Sequence, residues 1–404
     1  MSTKLSLTGG SITSENSSSI VNLSKYSALS FFSAALITLI PLRAFVDRLG
    51  FGFAVGIILL AIFVLRMAIL KSFSRKILFI FMLFVLPITY GFIVAVYNFE
   101  LPFYSMRGVI RFLLYFAVFF IAYYSNLSIN SLYKAYTLVV IVQIVSCLFQ
   151  YFVMEVDRRL YGTLINSNHV SYLIVPYFSL CLVYYRQYVR SFFIFLFGVF
   201  LGGMGGAISL LIVSILYFLF TVRLKYKLLG ALALSVFITI AVSTQTERID
   251  EQVQGMSNIH ERIETGRPGG SGSLLWRVVT WRLMVDELVE RGGLVQGMGI
   301  EYASLASPYF LSASIREPHN DYVRVLLEFG VIGLVLYVSL ALKLVFFFLK
   351  VARYSALARS MLFALIALSA AQFVGNILTQ STLWWFIAAI IGVYLRERWR
   401  LNEK

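Results

Sequence analysis

Charge is scarce in this 404-residue chain: Asp, Glu, Lys and Arg together make up 13% of it, and hydrophobic residues 60%. A soluble domain carries about 25% charged residues, so there is too little polar surface here to cover a water-soluble globule. The same balance excludes wholesale intrinsic disorder. Cysteine is nearly absent. Only Cys147 and Cys181 occur, both inside apolar runs, which excludes a disulfide-stapled secreted fold. Three histidines and no carboxylate pair at ligand spacing argue against a dedicated metal site. The P-loop, the glycine-rich dinucleotide turn, the HExxH and CxxC pairs and the GxSxG elbow are also missing, so no cofactor is expected.

What is present is apolar and comes in repeated stretches. A helix crossing roughly 30 Å of hydrocarbon needs about 20 residues. Cut on that basis, the chain gives spans at 26–43, 51–70, 77–97, 108–124, 135–154, 170–185, 191–203, 206–222, 228–244, 323–349, 361–375 and 382–395. A continuous 191–222 helix would be about 48 Å long, well beyond one bilayer, and Gly202-Gly203-Met204-Gly205-Gly206 supplies a turn in its middle. The expected fold class is therefore all-α: a polytopic membrane protein with about twelve transmembrane helices and one large periplasmic loop between helices nine and ten. The expected divisions are a polar cytoplasmic tail without signal-peptide features (1–25), helices one to nine (26–244) and the loop (245–322). Helices ten to twelve (323–395) and a short cytoplasmic tail (396–404) complete them.

The net charge of +15 is 34 basic minus 19 acidic side chains, and orientation explains most of it. Lys71–Lys76, Arg186–Arg190, Arg223–Lys227, Lys350–Arg359 and Arg396–Arg400 all fall on one side if the termini are cytoplasmic, as the positive-inside rule requires. Membrane lipid head groups and pyrophosphates are the next partners for such charge. Nucleic acid is not expected, because no basic stretch with interleaved aromatics lies outside the apolar segments.

The long loop is where chemistry is sought. Leu274, Val278, Trp281, Val285 and Leu288 are spaced as an amphipathic stripe, with Gly266–Gly270 before the helix and Gly292-Gly293 ending it. Arg277 lies one turn before Trp281; a plain interfacial helix with Arg277 reaching lipid head groups would show the same spacing. Gly297-Met298-Gly299 predicts a turn. Pro318-His319-Asn320-Asp321-Tyr322 leads into the tenth span, with Asn320 or Asp321 able to cap it. Arg324 and Glu328 carry an i, i+4 ion pair into that span, which predicts a polar cavity near the outer leaflet. Arg158, Arg159, Tyr161, Asn166 and Asn168 lie in an outer loop on the same side, and Arg107 and Arg111 sit one turn apart at the outer start of span four. Arginine suits bidentate contact with phosphate oxygens. Each of these arginines could instead meet lipid phosphates, and Arg111 a buried carboxylate.

Taken in order, Arg277-x-x-x-Trp281, Gly297-x-Gly299, His319-Asn320-x-Tyr322 and Leu327-Glu328-x-Gly330-x-x-Gly333 resemble the bacterial O-antigen ligase and Wzy-type O-antigen polymerase superfamily. Tyr161-Gly162-Thr163 with Asn166-x-Asn168 is similar to that family's segment before a transmembrane helix. The resemblance covers roughly residues 155–340. It implies a metal-independent, inverting glycosyltransferase in the bacterial inner membrane, with both termini cytoplasmic and the active site periplasmic. The donor would be an undecaprenyl-diphosphate-linked glycan, the acceptor a glycan or lipid A–core, and a flippase and a chain-length regulator would be assembly partners.

The same resemblance assigns Arg277 to the donor pyrophosphate and His319 to activation of the acceptor hydroxyl. The residues' own chemistry and placement make Arg159, Arg107, Arg111, Tyr161, Asn168, Asn320, Tyr322, Arg324, Glu328 and Trp281 candidates for binding. Family members often carry an arginine in the turn between spans seven and eight; this chain has Gly205 there, which slightly favours a repeat-unit polymerase over a ligase. The alternative class is a twelve-helix secondary transporter. It fits less well, since the chain shows no two related halves and its charges cluster at the boundary rather than the midplane.

Overall fold

The structure is a computed structural model that describes residues 15–46, 52–70, 75–99, 102–155, 160, 162–164, 167–200, 204–221, 273–306 and 317–402. Among these residues it is all-helical, with no strand. The helices are α1 (Glu15–Val46), α2 (Gly52–Leu70), α3 (Arg75–Phe99), α4 (Pro102–Tyr123), α5 (Ile129–Phe152) and α6 (Ser167–Ser179), the last continued by a π-turn at Leu180–Tyr184. They are followed by α7 (Tyr188–Phe200), α8 (Met204–Thr221), α9 (Ser273–Glu290), a π-turn at Tyr302–Ala306, α10 (Asp321–Val351), α11 (Ala356–Ala371) and α12 (Ser381–Asn402). Eleven of the expected spans overlap α1–α8 and α10–α12, with bounds that differ by up to about a dozen residues, while 228–244 lies outside the described residues. By length and composition, stretches of α4, α5 and α10 can each cross a bilayer; the other apolar helices are shorter over the stretches whose side chains are described.

Local chemistry sets the helix ends. Ser128, Asn320 and Ser355 sit in extended backbone at the starts of α5, α10 and α11, and each side chain accepts a first-turn N–H. Such caps answer donors that have no partner inside the helix. α9 stops at Gly292 (φ 69°), where Gly292 N–H and Gly293 N–H bond back to Val289 and Leu288 carbonyls. This is the glycine-ended closure expected of a left-handed residue after a helix.

The core is built where α12 lies along α4, and where α8, α6 and α11 pack together. Gly392 lets α12 approach the Phe119 carbonyl of α4, and a Cβ at Gly206 would collide with Ser171 of α6. Trp385 and Phe386 are fully buried, and Phe386 stacks on Tyr136 with centroids 3.8 Å apart. Separate helices α7 and α8, packed through Gly198 against Leu210, agree with a division of 191–222 into two segments. Of the glycine run, Gly202 and Gly203 lie outside the described residues. Met204, Gly205 and Gly206 already belong to the first turn of α8, and Gly205 abuts the Tyr172 hydroxyl, where a Cβ would collide.

α10 is broken. Gly330 adopts φ 69°, ψ −171° inside it, a conformation open in practice only to glycine. The backbone groups freed by the break are taken up by the segment after α9. Met298 N–H and Gly299 N–H donate to Leu327 O (2.8 Å) and Glu328 O (3.0 Å), and Val331 N–H donates to Leu294 O (2.9 Å). In hydrocarbon each such group left open would cost several kcal/mol. Gly297 and Gly299, both at positive φ, permit this approach: a Cβ on the first would strike the Glu328–Phe329 backbone, and on the second Ala95 of α3.

Candidate functional site

The ends of several helices meet at one pole of the bundle. Asp321 opens α10, accepts Ile377 N–H and Leu378 N–H at 2.8 Å each, and thereby ties α10 to the link between α11 and α12. Its own N–H donates to Gln372 O at 2.9 Å. Asn320 rather than Asp321 is the cap: its Oδ1 accepts from Tyr322 N (2.9 Å) and Val323 N (3.1 Å). Tyr322 turns to Ser369 O (2.9 Å) and packs on Phe373, so it anchors α11.

His319 stands just before this cap in the left-handed region, φ 51°. A non-glycine residue there is strained by roughly 1–2 kcal/mol, and it is held by its neighbours. The Trp281 indole of α9 donates to Pro318 O at 2.6 Å, and the Trp276 ring lies 5.9 Å from the imidazole. Asn376 Nδ2 is 3.5 Å from His319 Nδ1 and 2.5 Å from Glu317 Oε2. One amide therefore touches both the imidazole and a carboxylate. The His319 contact is long, so it locates the ring without fixing its proton.

Glu317 links this group to buried charge. Its Oε1 accepts from Ser304 Oγ at 3.2 Å and its Oε2 lies 3.3 Å from Arg324 Nη2. Burial opposes its ionisation, but Arg324, His319, Ser304 and Arg111 together outweigh that and hold the carboxyl below the ordinary glutamate range. Arg324 is itself buried, donates to Ser304 Oγ, and meets Glu328 Oε1 at 3.3 Å. Nearby, Arg111 pairs with Glu301 at 2.9 Å. Glu301 is buried in turn and left-handed, φ 68°.

Of the residues singled out in the sequence, His319, Asn320, Tyr322, Arg324, Glu328 and Trp281 fall together here, with Arg111 attached through Glu301. Arg277 is on α9 beside Trp276, close enough to act electrostatically on Tyr172, which also feels Asp321. Tyr172 is buried with its hydroxyl against Gly205 and Gly375, so the space at Gly205 is filled by a phenol from α6. Arg107 is exposed, one turn before Arg111. Arg158, Arg159, Tyr161 and Asn166 lie outside the described residues, as does the side chain of Asn168. Gly162 and Thr163 are described and bond to Gln150 and Gln143 of α5.

The amphipathic stripe of α9 is rotated from its expected place. Val279, Thr280, Leu283, Met284, Glu287 and Leu288 are buried, whereas Val278, Trp281 and Val285 are half-buried. The cause is Glu287, which enters the packed face because Tyr302 OH and Arg291 (3.1 Å) engage it. Glu317, Asn376, Glu301, Ser304 and Tyr172 were missed as site residues. Glu317 and its proximity to His319 were legible in Glu317-Pro318-His319; Asn376 and Glu301 carry no local signal, because only the fold brings them near.

A family model described as O-antigen ligase (Wzy_C) matches residues 190–338, from α7 to the middle of α10. No curated protein matches the chain. The matched segment contains Arg277, His319, Arg324 and the Gly330 break, and members of this family are membrane enzymes of the glycosyltransferase type that act on lipid-linked glycans and acceptors. Over residues 190–338, somewhat more than a third of its length, the chain is similar to the O-antigen ligase family.

Proposed function

We propose that the protein transfers glycan from an undecaprenyl-diphosphate donor to an acceptor sugar hydroxyl, with inversion and without a metal ion. The site would face the periplasmic side of the inner membrane. The observation that carries this reading is His319, held in a left-handed conformation at the mouth of α10 between Trp276 of α9 and the Asn376–Glu317 pair.

In this reading His319 takes the proton from the acceptor hydroxyl as its oxygen attacks the anomeric carbon. An imidazole with an ordinary value near 6.5 is matched to that task. The Glu317 carboxylate stabilises the imidazolium that forms, and Asn376 keeps ring and carboxylate in register. As the anomeric C–O bond breaks, its electron pair passes to the diphosphate. Arg277 supplies fixed positive charge against that developing charge. Asn376 Oδ1 is buried without a hydrogen-bond partner among the described residues, leaving an acceptor beside His319.

Arg324, Glu328 and Arg111 are assigned to support, because their charges are already engaged with Glu317, Ser304 and Glu301. Within the class, extension of repeat units is favoured over attachment to lipid A–core, on the glycine at position 205. The test is a lipopolysaccharide gel from a deletion strain supplied with wild type or His319→Ala. Core with a single repeat unit identifies a polymerase; bare core with long glycan on undecaprenyl diphosphate identifies a ligase. A full ladder with a well-inserted His319→Ala protein removes His319 as the base.

A further inference from the structure

At the pole opposite His319 lies a groove that glycan transfer does not use. It runs between α5 and α7, with a volume of about 940 Å³. Arg186 and Arg190 stand at one end, and Ile144, Leu148, Phe193 and Phe197 line it farther along. Both helices start from the arginine end, since Arg190 Nη1 donates to Tyr133 OH at 3.0 Å. From Tyr133 to Leu148 is about 22 Å along α5, and from Arg190 to Phe197 about 10 Å along α7. One leaflet of hydrocarbon is about 15 Å deep, so the α5 wall spans a leaflet's depth and the α7 wall about two thirds of it.

Depth is marked independently by tyrosines. Tyr185 OH donates to Asn130 Oδ1 at 2.7 Å and Tyr217 OH to Tyr188 OH at 3.1 Å, both at the arginine end. Tyrosine concentrates at the head-group level of membranes. Arg186 and Arg190 are exposed there, and the groove also includes Tyr188 and Val189 of the first turn of α7. First-turn amides have no partner within their helix and present its positive end to anions.

We propose that this groove binds one anionic phospholipid of the leaflet opposite the candidate site. Its phosphate sits at Arg186, Arg190 and the start of α7, and one acyl chain lies along Ile144, Leu148, Phe193 and Phe197. A zwitterionic lipid meets the same walls with less gain at the head group.

The experiment is native mass spectrometry of the full-length protein in detergent, titrated with phosphatidylglycerol, phosphatidylcholine of identical chains, and chain-free glycerophosphoglycerol. Wild type retains one phosphatidylglycerol in preference to the other two. Each arginine at an anionic surface contributes about fivefold, so Arg186→Gln with Arg190→Gln weakens retention roughly thirtyfold. Leu148→Trp fills the groove from α5 without touching the arginines and also displaces the lipid; it keeps the test readable where loss of the Arg190–Tyr133 bond unsettles the double variant. Equal retention of the two phospholipids, or undiminished binding in both variants, overturns the proposal. Glycerophosphoglycerol binding as tightly as the lipid would make this a free-anion site and overturn it as well.

Discussion

Replacing Arg324 by methionine separates a strut from a substrate ligand. The guanidinium lies 3.3 Å from Glu328 and 3.3 Å from Glu317, and it also donates to Ser304. Side-chain exposures of 2% for Arg324 and 3% for Glu328 put that pair in the buried class, while Glu317 at 35% is partly screened. An exposed ion pair contributes about 0–1 kcal/mol. Removing one partner of a buried pair costs about 3–5 kcal/mol, because the other charge is left without compensation. The Glu328 bond therefore dominates, and Arg324→Met is expected to lose about 3–5 kcal/mol. Arg324→Met with Glu328→Gln removes both charges and recovers much of that loss. The assay is thermal unfolding of detergent-purified protein, followed by intrinsic fluorescence. A fully stable Arg324→Met protein with a raised KM for the lipid-linked donor would refute the strut and return Arg324 to the substrate.

Two further outcomes are expected. Glu317 is held below the ordinary glutamate value, so its share of stability is present above about pH 4.3 and is lost as pH falls through the lowered folded value. Glu317→Gln should remove that part of the acid sensitivity in unfolding scans between pH 3 and 6, and identical pH dependence in both proteins would contradict the placement of Glu317. Gly330→Ala puts a side chain at φ 69° against the Val295 carbonyl, so it should cost more than the roughly 1–3 kcal/mol of ordinary strain and lower the yield of inserted protein. Wild-type yield and melting temperature would mean that the break in α10 is not required.

The amino-acid sequence by itself determined the class of this protein, because a long apolar run has few ways to satisfy its backbone and helix is the local one. Residue spacing was enough to predict helical segments, to mark Gly292 as a stop and Asn320 as a possible cap, and to place His319 at a helix mouth. These are decisions made within a few residues. The identity of the charge partners was not local. Arg324 reaches Glu328 one turn away, as its spacing implied, but its bond to Glu317 depends on the path that brings that residue back against α10. Arg111 meets Glu301 only because Gly299 lets the segment after α9 lie against α3. The rotated face of α9 has the same origin, since a buried Glu287 is tolerable only with Tyr302 and Arg291 in reach. Asn376 stands beside His319 because Asp321 pins the α11–α12 link to the start of α10. Hydropathy and spacing act along the chain, whereas compensation of buried charge and backbone is settled across it, and the surroundings of His319 depend on the second.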